Sequence, residues 1–178
     1  MRNLFIGVCL VTIVTAPAAG DQDRSGTIEL EAQLGTGAQG NVPPWESRTD
    51  TDSDPTLGIG FAYHLHRVHR VDLQIQILSD RQAGAYWRYG LNYRLNFRPT
   101  KLTVPYVGTG FGYQSVGREN DGGHPYGAYF IGIKRYVGRR GGLYLEIKRS
   151  VMSERDLSGQ DVIGNWYETN LGISVTLR

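Results

Sequence analysis

The sequence has little of what would place it in most functional classes. It contains a single cysteine, Cys9, inside its first apolar run. A lipidated cysteine there is disfavoured, because Val8 stands where a small residue is needed and too little apolar sequence lies upstream. Downstream of Cys9 no disulfide is available, so stability must come from backbone pairing and packing. After Val14 no stretch approaches the eighteen or so apolar residues of a transmembrane helix. Neither sign of charge is in excess: 19 Lys and Arg stand against 17 Asp and Glu, which leaves no electrostatic footprint for nucleic acid.

What is abundant is glycine and tyrosine, 24 and 11 residues. Helical domains rarely use so many of both. Barrels use glycine where the lumen is tight and tyrosine at membrane interfaces. The first twenty residues read as a secretory signal peptide: Arg2, the apolar run Leu4 to Val14, then the small residues Ala18-Ala19-Gly20. Cleavage is expected near Asp21, leaving 21–178 as a single domain with 18 basic and 17 acidic residues once Arg2 is removed.

Alternation with a period of two runs through almost all of that domain and predicts eight strands. Ile28, Leu30, Ala32 and Leu34 share a face opposite Glu29, Glu31 and Gln33. Leu57 to Leu65 alternate with Gly58, Gly60, Ala62, His64 and His66, and Val71 to Ile77 with Asp72, Gln74 and Gln76. Trp87 to Phe97 alternate with Arg88, Gly90, Asn92, Arg94 and Asn96. The fifth run sets Val107, Phe111 and Tyr113 against Gly108, Gly110 and Gly112. The sixth sets Tyr129, Ile131 and Ile133 against Phe130 and Lys134. In the seventh, Leu143, Leu145 and Ile147 alternate with Tyr144, Glu146 and Lys148. In the eighth, Tyr167, Leu171 and Ile173 alternate with Glu168, Asn170 and Gly172.

Short connections (Arg67–Arg70, Pro99–Lys101, Gly138–Gly142) alternate with longer ones (Ala38–Pro55, Asp80–Ala85, Gly117–Pro125, Ser153–Val162). Tight turns on one side and long loops on the other are the pattern of an up-and-down outer-membrane barrel. The expected fold is therefore all-β, an eight-stranded antiparallel transmembrane barrel.

A soluble ligand-binding barrel would turn its apolar face inward; three features favour lipid. The apolar faces supply the nine to eleven residues of a tilted membrane strand. Aromatic residues gather near strand ends as two interfacial girdles: Tyr86, Trp87, Tyr113, Tyr126, Tyr129 and Tyr167 toward the loops, Tyr63, Tyr93, Phe97 and Tyr136 toward the turns. The polar face mixes both signs, as a narrow lumen filled by paired charges requires. The expected lumen network is Glu29, Glu31, His64, His66, Asp72, Arg88, Arg94, Lys134, Glu146, Lys148 and Glu168.

The eight alternating strands, the segment Pro105-Tyr-Val-Gly-Thr-Gly-Phe-Gly-Tyr113 and the closing strand Thr169–Arg178 resemble the small outer-membrane barrels of the OmpA/OmpX type. The resemblance implies a monomeric barrel in the outer membrane of a Gram-negative bacterium, in contact with lipid and lipopolysaccharide and delivered by the barrel-insertion machinery. It implies no single activity. Such barrels usually end in an aromatic residue that helps the insertion machinery, whereas Arg178 stands here.

No catalytic, cofactor or metal constellation emerges. His64, His66, His69 and Asp72 lie close together, but no ligand spacing completes a zinc site, and the histidines are expected to pair with Glu29 and Glu31. Asp50, Asp52 and Asp54 begin like a calcium loop, which Pro55 and Phe61 then break. A lipid A-modifying enzyme would need a nucleophile, a base and an orienting acid. Ser115, Ser150 and His124 are available, without a His-x-Ser motif. The expected role is structural or surface-interacting, with a charge-plugged lumen. The rival readings are that enzyme and a narrow binding or transport barrel. Arg149, on the lipid-facing side by parity, is expected with Arg118 and Arg155 to contact lipopolysaccharide phosphate.

Overall fold

Alternating β-branched and aromatic residues, punctuated by glycine-, proline- and asparagine-containing turns, make strands that can bury one face. The computed structural model describes residues 23–39, 54–80, 84–115, 123–155 and 161–177. It contains β1 (Ile28–Gln39), β2 (Asp54–His64), β3 (His69–Asp80), β4 (Gly84–Asn96), β5 (Thr103–Ser115), β6 (His124–Val137), β7 (Gly141–Arg155) and β8 (Asp161–Leu177). Each pairs antiparallel with its sequence neighbours, and β8 closes on β1. Closure leaves no strand edge, the condition for a sheet to sit in hydrocarbon.

The register fixes the shape. Stepping from Ile28 through its partners Tyr63, Val71, Tyr93, Thr109, Tyr129, Arg149 and Tyr167 returns to β1 at Ala38, ten residues higher. With about 3.3 Å per residue and 4.7 Å between strands, that offset tilts the strands by about 41° and gives a wall of about 8 Å radius. Each residue then climbs about 2.5 Å along the barrel axis.

Outward residues are apolar and exposed, Leu34, Phe111 and Leu171 among them. From Tyr63 near the turns to Trp87 near the loops they form a band about 21 Å tall, close to the roughly 25 Å apolar band of outer-membrane barrels. Inward residues are largely polar, with aromatic rings among them, and almost fully enclosed. Glycines make room for them. A Cβ on Gly172 would lie 2.2 Å from the Tyr144 ring, and one on Gly108 would lie 2.3 Å from Phe130. Tyr106 lies over Gly132 in the same way. Glycine opposite an aromatic side chain is how so narrow a lumen admits rings at all.

Strand ends overrun the expected connections at several points, and two of these matter most. Arg70, expected in a turn, is the second residue of β3 and pairs with His64. The β7–β8 ladder continues to Arg155↔Asp161, so the connecting loop is 156–160 rather than Ser153–Val162.

Candidate functional site: a charge-filled lumen

Five cations (Arg70, Arg88, Arg94, Lys134 and Lys148) and five carboxylates (Glu29, Glu31, Asp72, Glu146 and Glu168) are buried inside the wall. All but Lys148 fall into two layers. The register places Glu29, Arg70 and Lys134 at nearly one height near the turns, with Glu31, Asp72, Arg94 and Glu146 just above. Arg70 is the hub: Nη1 donates to Glu29 Oε2 at 2.7 Å, Nη2 lies 2.6 Å from Glu31 Oε2, and Nε lies 3.7 Å from Asp72 Oδ1. Lys134 reaches across the lumen to Glu29 at 2.5 Å and Glu31 at 3.0 Å. Arg94 pairs with Asp72 at 2.7 Å and Glu146 at 3.2 Å. The Tyr106 hydroxyl donates to Glu146, and Thr176 donates to Glu29.

The upper layer is smaller. Arg88 Nη1 donates to Glu168 Oε1, while its Nη2 donates to Gln114 Oε1 at 2.7 Å. Gln76 donates to the other Glu168 oxygen at 3.1 Å. Between the layers Lys148 donates to Gln74 Oε1, and Gln74 donates to Gln33 Oε1. Buried charges survive only with partners in place, and here most of the partners come from across the lumen.

Both ends are closed among the described residues. Toward the loops, Leu78, Tyr126, Ala128, Met152 and Trp166 form an apolar cluster, with Tyr86 packed against it. Toward the turns, the Arg24 guanidinium sits 3.3 Å from the Tyr136 ring centroid and donates to the Pro99 carbonyl. Outside that lid Ser25 and Arg67 hydrogen-bond Asp23, and these bonds, Ser25's above all, hold its carboxyl well below the usual range.

Several expectations need correction. His66 is not a lumen residue. His64 pairs with Arg70, yet His66 exchanges both backbone hydrogen bonds with His69, so Leu65 is an extra residue on the β2 side. This bulge breaks the parity and turns His66 out to an exposed position, 5.9 Å from the His69 ring. His64 stays inside, with Nε2 3.3 Å from Glu29. Tyr126 and Tyr136, expected in the girdles, are 4% and 6% exposed and face inward, and Tyr86 packs with the inner cluster. All three carry even numbers on strands whose outward residues are odd on β6 and β4, so parity alone placed them correctly. Arg70 was missed for the opposite reason, since a basic residue beside a turn looks solvated. Arg24 gave no signal in the sequence.

Other sequence candidates are scattered. Ser150 accepts a hydrogen bond from Arg88 inside the barrel, and Ser115 donates to the Trp87 carbonyl at the rim. No hydrogen bond joins either to His124 among the described residues. Asp54 begins β2 with its own partner, while Asp50 and Asp52 lie outside the described residues. So do the expected signal peptide and Arg118, and of Arg155 only the backbone is described. Arg149 faces outward on β7, its Nε and Nη2 both donating to Asn165 Oδ1.

No family model matches the chain, and no curated relative matches its sequence. Solved structures do match in fold. Neisserial surface protein A aligns with a TM-score of 0.66 at 12% identity, over 83% of this chain and 96% of that one. The N-terminal β-barrel domain of Pseudomonas aeruginosa OprF aligns at 0.61 and 14% identity, over 88% and 100%. Ail, the attachment invasion locus protein of Yersinia pestis, aligns at 0.53 and 12% identity, over 86% and 99%.

Proposed function

We propose that this chain, which has the fold of the small eight-stranded outer-membrane barrels, works as a closed membrane barrel in a Gram-negative outer membrane, presenting surface rather than a pore or an active site. The observation that carries the reading is the pairing of an apolar outer band with a lumen whose buried charges are held by ion pairs and hydrogen bonds and capped at both ends. A channel needs a continuous polar gap, and an 8-stranded wall leaves room for side chains only. Catalysis needs a reactive group open to substrate, whereas Ser150 and Ser174, the buried lumen serines among the described residues, are enclosed. What remains for contact with the surroundings is the outer wall and the loops, the parts a structural or surface-interacting barrel would use.

Fractionation tests the location: the protein should partition with outer membranes, resist carbonate extraction and show heat-modifiable gel mobility. Planar-bilayer recording tests the closed lumen, and steady single-channel currents would overturn it. Release of an acyl chain from lipid A on incubation with the folded barrel would overturn the non-catalytic reading.

A further inference from the structure

Near its loop end the apolar wall of the described residues carries an arginine, Arg149, that is arranged rather than merely tolerated. Tyr129, Arg149 and Tyr167 are direct cross-strand partners on β6, β7 and β8. The guanidinium lies 5.5 Å from the Tyr129 ring centroid and 5.4 Å from that of Tyr167. Asn165 Oδ1 accepts from Nε and Nη2 at 3.1 and 2.8 Å. These contacts orient the group without neutralising it, since all three partners are uncharged. Among the described residues no carboxylate pairs with Arg149. By the register it stands about 19 Å above Ile28, roughly 6 Å below the top of the apolar band.

Directly beneath it the wall is concave. A groove of about 470 Å³ is lined by Val107, Ile131, Ile147, Tyr129 and Tyr167, with Arg149 at its upper end. From Val107 to Arg149 it runs about 11 Å along the axis, a large part of the roughly 15 Å depth of one leaflet. The larger groove on the opposite side has an apolar outward lining, including Leu30, Phe61, Leu73 and Phe111, and no cation. Arg135, the other outward arginine, lies near the turn end of β6 and lines neither groove.

We infer that β5–β8 form a binding site for one phosphorylated glycolipid of the outer leaflet, lipid A in chemical class, with a phosphate on Arg149 and an acyl chain in the groove below. Charge complementarity selects the head, because a guanidinium presents paired donors to phosphate oxygens. The groove aligns the tail. Placing the site in the outer leaflet rests on the outer-membrane reading, which puts the loop end outside.

The test uses folded barrel in phosphatidylcholine nanodiscs doped with lipid A, dephosphorylated lipid A or phosphatidylglycerol, with retained lipid counted by native mass spectrometry. The wild type should keep one lipid A. Arg149→Gln should weaken retention about tenfold, and Arg149→Lys less. Ile147→Trp should weaken it by filling the groove with the charge intact, and it carries the test if Arg149→Gln folds poorly. Equal retention by the variants, or by dephosphorylated lipid A, overturns the site. Equal retention of phosphatidylglycerol overturns lipid A as its occupant. A barrel that does not insert into vesicles at all would instead sink the outer-membrane reading.

Discussion

Arg70 contacts three carboxylates from two strands and is 1% exposed. Its removal leaves Glu29, Glu31 and Asp72 facing one another with only Lys134 and Arg94 to offset them. Truncating one member of a buried charge network costs about 3–5 kcal/mol. Arg70→Ala should therefore lower the urea midpoint of the reconstituted barrel by far more than a surface substitution does. Arg88 and Glu168 offer a cleaner comparison, since they form one pair. Arg88→Met and Glu168→Leu should each destabilise alone, while the double variant should recover much of the loss. A double variant as unstable as the sum of the singles would show that the pair is wet and weakly coupled.

Among the elements, the β2–β3 hairpin carries the sharpest expectation. Leu65 is unpaired, and without it His64↔Arg70 and His66↔His69 would be consecutive pairs of a regular ladder. Deleting Leu65 should leave heat-modifiable folding intact and shift stability by no more than about 1 kcal/mol. Deleting Ala62, three residues earlier, should cost far more, because even if the bulge absorbs the slip, Tyr63 and Leu65 are turned to the lumen and His64 is turned out. If both deletions behave alike, the bulge is not where the backbone bonds place it.

At the scale of the whole barrel, the lumen is sealed in layers: the Trp166 cluster, the Arg88–Glu168 layer, the Arg70 network and the Arg24–Tyr136 lid. No single layer is the gate. Trp166→Ala should strip part of the loop-side cap and cost stability, of order 3–5 kcal/mol for a buried tryptophan, yet planar-bilayer recordings should remain silent. Steady currents from that variant alone would mean that the charged layers below do not block ions.

The strand count, the outward-facing set and most of the lumen set were legible because a strand's side chains alternate whatever it pairs with. Glu29, Lys134 and Glu168 fall on the inner face by parity alone. Parity failed where the backbone departed from regular pairing: Leu65 bulges and carries His66 outward. The aromatic residues near strand ends were misread on a different ground, proximity to an interface, although Tyr126 and Tyr136 had inward parity throughout. Which charge meets which was not legible at all. Lys134 finds Glu29 across the lumen, 105 positions away, because closure with a ten-residue offset tilts β1 and β6 until those two residues share a height. Sequence alternation thus determined the face of each residue that lies in a regular strand. The closed register, a property of all eight strands together, decided its partners.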